Sequence, residues 1–158
     1  MVTTTYWDTS CILALYVPEP LSAEAAALAA NENRPLTSSV ILEYEMIFAL
    51  HAKEAKGEIP PQSAARVLAQ FREDIRKGRF LLAPLGQDIR DAALEIAHAA
   101  LHAAPPLFVG TFDGVHIATA LQLQSSEIVT ADKRMAEAAA RCGLKSSPLK
   151  ATAGRQTK

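Results

Sequence analysis

Cysteine is scarce in this chain. Only Cys11 and Cys142 occur, with neither a CxxC pair nor a zinc-ligand spacing, and both lie in apolar, helix-like surroundings where buried free thiols are expected. Basic charge is not in excess. The formal net charge is −1, so the broad positive footprint of many nucleic-acid binders is missing, which leaves room only for a local basic patch. No apolar run approaches the length of a membrane span. The opening "MVTTTYWD" lacks a basic n-region, and "CILALYV" is short and broken at Pro18, so no secretory signal is visible and a cytoplasmic protein is expected. Repeats, linkers and low-complexity tracts are absent. A single domain over 1–149 is expected, and the apolar periodicity missing from 150–158 marks those residues as a frayed tail.

What remains is an ordinary globular composition, with 49% apolar and 21% charged residues, long enough for one substantial core. Thr3 to Trp7 are β-branched and aromatic and read as a strand ending at Asp8. "SCILALYV" suggests a short helix stopped by Pro18, and Ser22 caps an Ala-rich helix to about Ala30. "LTSS" reads as a short strand, and a long helix spans Val40 to Lys56, closed by Gly57. Ala64, Val67, Leu68, Phe71 and Ile75 recur at helical spacing, and Gly78 stops that helix. "FLLAP" is a strand. Ile89, Ala92, Ala93, Ile96, Ala97, Ala100 and Leu101 mark a helix that ends before Pro105. Helix 111–124, strand 127–130, helix 133–142 and the strand-like "LKSSPL" follow. Strands read as short and wholly apolar, alternating with helices, imply an α/β fold: a parallel sheet of four to five strands covered on both faces, α/β/α.

In open parallel sheets, ligands bind beyond the C-terminal strand ends. Asp8 follows the first strand, Asp132 follows "EIVT", and Asp113 lies in the first turn of its helix. A fourth acid, Glu43 or Glu45, stands at the front of the long helix. Two helical positions are about 200° apart, so only one of this pair faces the site. Each Asp alone has a plainer explanation, since carboxylates cap helix starts. Together they place several acids on one rim, where like charges raise one another's pKa. A hard divalent cation removes that cost, and an all-oxygen set suits Mg²⁺ or Mn²⁺.

These stretches resemble the PIN-domain family, in particular the VapC-type ribonuclease toxins of toxin–antitoxin pairs. "YWDTSCILALYVPEP" resembles the opening strand and first acid, Asp8. "EMIFALHAKEAKGEI" resembles the second acidic segment, where spacing to Ala49-Leu50 selects Glu45 over Glu43. "FDGVHIATAL" supplies Asp113, and "IVTADKRM" supplies Asp132 with Thr130 beside it. The resemblance covers about residues 4–148. Phe48 departs from it, because relatives often carry a polar residue there. The resemblance implies a PIN-like α/β/α fold and a metal-dependent endoribonuclease. Asp8 and Asp113 would be direct ligands of Mg²⁺ (or Mn²⁺), with Glu45 and Asp132 ligating directly or through water. Metal-activated water would hydrolyse RNA to 3′-hydroxyl and 5′-phosphate ends. A small cognate antitoxin and a homodimer are the partners it implies; no membrane is involved.

Setting the four acids aside moves the formal charge from −1 to +3. Lys133 and Arg134 beside the site, and Lys53 and Lys56 on the long helix, are candidates for RNA phosphates, with surface ion pairs the plainer role for the last two. His116, one turn beyond Asp113, can orient a carboxylate or water. Thr9, Ser10 and Thr130 can donate to the acids. Tyr6 and Trp7 can stack bases but suit core packing better. His98 and His102 share a helix face without the Glu of a metalloprotease motif. Two competing functions stand beside the ribonuclease: a Mg²⁺-dependent phosphohydrolase or phosphoacceptor using Asp8 as nucleophile, and a binding module with a dead site.

Overall fold

The computed structural model describes residues 4–149; Thr3 and the tail expected at 150–158 lie outside the described residues. The elements in chain order are β1 (Thr5–Trp7), α1 (Thr9–Leu13), α2 (Ser22–Ala30), β2 (Leu36–Ser39), α3 (Ile41–Ala55) and α4 (Ser63–Arg76), then β3 (Phe80–Ala83), α5 (Gln87–Leu101), α6 (Thr111–Gln122), β4 (Glu127–Thr130), α7 (Lys133–Arg141) and β5 (Lys145–Pro148). The five strands form one sheet in the order β3-β2-β1-β4-β5. Every pairing is parallel, with Tyr6 opposite Thr37 on one side and Ile128 on the other.

Strand geometry sends successive side chains to opposite faces, and β1 shows the consequence. Trp7 packs in a core with Ile12, Leu42, Met46, Leu50, Leu68 and Phe71, from α1, α3 and α4. Its neighbour Tyr6 packs on the other face with Ile89, Ile96, Ile117, Ala118 and Met135, from α5, α6 and α7. The sheet is thus the middle layer of three, as expected, and both aromatics of β1 are fully buried. Cys11 is buried and Cys142 partly so, both as free thiols. Among the described residues, no helix is long and apolar enough to cross a membrane.

Two expectations are corrected. The strands are not wholly apolar: β2 buries Thr37, Ser38 and Ser39, and β5 reads "KSSP". In β2, Ser38 Oγ donates to the Trp7 carbonyl at 2.8 Å, which satisfies the hydroxyl where burial would otherwise be costly; β5 is an edge strand with one unpaired side. Nor does Ser22 cap α2. Leu21 holds the cap position, while Ser22 Oγ accepts from Glu19 N at 2.9 Å and donates to Val17 O at 3.0 Å, closing the turn around Pro18.

Strand order reverses at β1, between β2 and β4. That is the place where parallel α/β sheets open a crevice at their C-terminal edge.

Candidate active site

Beyond the C-terminal ends of β1 and β4 lies an open cleft of about 950 Å³. Asp8, Glu45, Asp113 and Asp132 all line it, with Thr9, Ser10, Lys133 and Arg134. Glu43 does not; it sits half-buried two positions earlier on α3, so helix rotation turns Glu45 alone into the cleft. The four acids arrive from β1, α3, α6 and the β4–α7 junction.

Helix capping does not explain most of them. Asp8 occupies the cap position of α1 with extended backbone, yet its carboxylate makes no cap hydrogen bond. Instead Asp8 Oδ2 accepts from Ser10 Oγ at 2.6 Å and Thr130 Oγ1 at 3.0 Å. Thr130 Oγ1 in turn accepts from Asp132 N at 3.0 Å, tying the two acidic segments together. Asp113 stands in the first turn of α6 without capping it. Only Asp132 caps a helix, its Oδ1 accepting from Arg134 N at 2.7 Å and Met135 N at 3.3 Å.

Glu45 is held from below. Its Oε2 accepts from Thr9 Oγ1 and from His116 Nε2 at 2.7 Å. His116 has no solvent exposure; its Nδ1 is 2.7 Å from Tyr6 Oη, the rings meet edge to face, and Asp8 Oδ1 lies 3.8 Å from Nε2. Burial pushes the Tyr6 phenol far above its ordinary range, so Tyr6 keeps its proton and its hydroxyl is the buried partner of Nδ1. Nε2, on the other side of the ring, faces the Glu45 carboxylate. The sequence offered Tyr6 as a core residue or, less well, a base-stacking one, and not as a support for His116. The only available signal was that a buried phenol needs a partner.

The electrostatics report a shared acidic space. Burial first, then the Asp132 and Asp8 carboxylates, raise the Asp113 carboxyl above its ordinary value, with His116 opposing and Glu45 adding to the rise. For Glu45, burial also acts upwards, but the His116 hydrogen bond and charge and the Thr9 hydrogen bond outweigh it, leaving the carboxyl below its ordinary value.

The donor set suits a hard divalent cation. Asp8 Oδ1, Glu45 Oε1, Asp132 Oδ2 and both Asp113 oxygens accept no hydrogen bond among the described residues, whereas the opposite oxygens of Asp8, Glu45 and Asp132 are anchored. Among the described residues no three His, Cys, Asp or Glu side chains close into a ready-made cage. Mg²⁺ does not require one, because it keeps several waters and binds through one or two carboxylates.

The other expected residues divide. Lys133 and Arg134 line the cleft, with Arg134 Nε 4.0 Å from Asp132 Oδ1. Lys53 is turned into ion pairs with Glu19 and with Glu58 at 2.8 Å, and Lys56 is exposed outside the cleft. His98 and His102 are exposed, their rings stacked at 4.2 Å, with His102 Nδ1 2.8 Å from His98 O; they take no part in the cleft. Two of its aromatic residues, Phe48 and Phe112, were not anticipated as site residues.

The family model described as PIN domain matches residues 5–141. In fold, the chain is similar to VapBC2 from Rickettsia felis bound to a promoter DNA fragment, at 14% identity, covering 94% of this chain and 100% of that one, with a TM-score of 0.63. It is also similar to FitAB bound to the IR36 DNA fragment (19% identity, 92% and 94% covered, TM-score 0.67). A third similar structure is FitAcB from Neisseria gonorrhoeae (16% identity, 90% and 96% covered, TM-score 0.62). No curated protein matches the chain.

Proposed function

The chain belongs to the PIN-domain family, and from that premise we propose that it is a metal-dependent endoribonuclease acting as the toxin of a toxin–antitoxin pair. PIN domains are nucleases, and they generally use divalent metal ions. One observation carries the reading: four carboxylates from separated segments line one cleft at the switch point of the sheet, each with an oxygen left free.

Asp8 and Asp113 would hold the cation directly, and Glu45 and Asp132 directly or through water. A bound Mg²⁺ or Mn²⁺ supplies an acidified water and neutralises charge on the leaving oxygen. The protein's part is positioning. Ser10 and Thr130 fix the rotation of Asp8, His116 and Thr9 fix that of Glu45, and the α7 backbone fixes Asp132. Lys133 and Arg134 offer charges to phosphates of RNA entering along the cleft. Scission leaving 3′-hydroxyl and 5′-phosphate ends is expected.

The motif resemblance to VapC-type toxins, with the likeness in fold to VapBC2 and FitAB, supports a small antitoxin as partner. A homodimer in the cytoplasm completes the proposal, and light scattering on the purified chain tests the dimer. The deciding experiment is RNA cleavage in Mg²⁺ and in EDTA. Wild type should cleave only with metal, and Asp8→Asn or Asp113→Asn should abolish cleavage while circular dichroism stays native. Retained cleavage by either variant overturns the site assignment, and formation of a trapped phospho-aspartate at Asp8 would favour the phosphoacceptor instead.

A further inference from the structure

Phe48 is 76% exposed and Phe112 is 50% exposed. Neither belongs to a core cluster, yet both line the acidic cleft. Helix geometry places Phe48 three residues after Glu45, on the same side of α3, and Phe112 directly precedes Asp113. Each ring therefore flanks one of the acids from a different helix. Buried Leu13 and partly buried Ala49 and Ala131 continue the apolar lining between them, while Lys133 and Arg134 supply positive charge on the β4–α7 side.

Apolar rings held in water do not stabilise a fold, and their placement beside a carboxylate cluster calls for a ligand with both apolar faces and negative charge. An unpaired nucleotide has both: a base that stacks on an aromatic ring and a phosphate that meets Lys or Arg. A duplex has its bases already stacked on one another and presents mainly backbone. Resting on the ribonuclease reading above, we propose that Phe48 and Phe112 are stacking platforms for unpaired bases either side of the cut.

The test uses the full chain and four probes: a mixed-sequence single-stranded oligoribonucleotide, its duplex, the same backbone built of abasic units, and a labelled antitoxin co-purified with the toxin. Phe48→Ala and Phe112→Ala should each weaken single-strand binding in EDTA, read by fluorescence anisotropy, by about 5- to 100-fold. Both should raise KM in Mg²⁺ without lowering kcat. Phe48→Trp should restore binding. Phe108→Ala, which removes a ring 74% exposed at a different groove, should change nothing. Wild type and Phe48→Ala should bind the duplex and the abasic backbone alike.

Unchanged single-strand affinity in both alanine variants overturns the inference. So does an equal loss on the abasic backbone, which would mean phosphate contact rather than stacking. Loss of antitoxin binding, or of a dimer by light scattering, with RNA affinity intact would assign the rings to a protein partner and overturn it too. Wild type that cleaves RNA with Phe48→Ala at wild-type KM fails only this inference; wild type that neither binds nor cleaves RNA fails the ribonuclease reading itself.

Discussion

At the residue scale the site is a set of carboxylates kept apart from their usual solutions. Asp113 is the sharpest case, since burial and its neighbours raise it and nothing among the described residues donates to it. A raised carboxyl binds its proton more tightly in the folded chain than in the unfolded one. Its contribution is therefore favourable below the ordinary value of 3.8 and is lost as pH rises through the folded value, so at neutral pH the ionised group weighs against the metal-free fold. Asp113→Asn should raise the melting temperature of metal-free protein at pH 7 and leave it unchanged at pH 3, as calorimetry at the two pH values would show. A lower melting temperature at pH 7 would contradict this sign. Tyr6→Phe tests the buried support. It leaves His116 Nδ1 without its 2.7 Å partner, at a cost of about 1–3 kcal/mol measurable by urea unfolding, and it should slow cleavage by loosening Glu45.

At the element scale, α4 carries two features apart from the chemistry. Gln62, the residue before it, has φ 64°, a left-handed backbone that favours glycine over a residue bearing Cβ. Gln62→Gly should raise stability by up to about 1 kcal/mol, read as a shift of the denaturant midpoint at constant slope; a loss would place an unseen role on that side chain. Asp74, also on α4, is buried and ties it to the turn after α1 and to the residue before β3: Tyr16 Oη donates to Asp74 Oδ2 at 2.7 Å, Arg79 at 3.2 Å, and Gln70 to Oδ1 at 3.3 Å. Burial pushes its carboxyl up, but the Tyr16 hydrogen bond and Arg79 charge prevail and hold it below its ordinary value of 3.8. That stability is present above 3.8 and is lost as pH falls through the folded value. Asp74→Asn should therefore flatten the acid limb of the stability–pH curve. α4 was legible as a helix from the local spacing of Ala64, Leu68 and Phe71, whereas its tie to Tyr16 was not, because Tyr16 and Asp74 are 58 residues apart.

At the scale of the whole molecule, sheet order brings the acids together. The β1–β4 adjacency sets Asp8 beside Asp132, and α3 and α6 deliver Glu45 and Asp113 from opposite layers. A cation binding only the folded chain should stabilise it by mass action, by about 2.7 kcal/mol at a hundred times its Kd, or roughly 5–10 °C for a chain of this size. Mn²⁺ should raise the melting temperature of wild type by that order and leave Asp8→Asn unmoved. No shift in wild type would remove the metal from the proposal. Much of this architecture was readable in advance. Helices followed from periodicity within a turn or two, Asp8, Asp113 and Asp132 from their positions at strand ends and helix starts, and the parallel sheet from alternation. Glu45 over Glu43 came only from the resemblance, through spacing to Ala49-Leu50; in the fold Glu45 lines the cleft and Glu43 does not. "LTSS" was legible as strand β2, but not the means of burying its polar side chains: Ser38 is satisfied by the Trp7 carbonyl on a neighbouring strand, a partner that no local pattern announces.

The amino-acid order alone determined the elements and the candidate acids, since propensity, apolar spacing and turn residues act over a few positions. Only the tertiary structure decided which oxygens are anchored and which stay free, that Tyr6 reaches His116, that Lys53 is spent on Glu19 and Glu58, and that Phe48 and Phe112 stand in the open beside the acids. Those outcomes depend on contacts such as His116 to Glu45, 71 residues apart, and Thr130 to Asp8, 122 apart. Chain folding brings such pairs within hydrogen-bond reach, and no local physical preference encodes them.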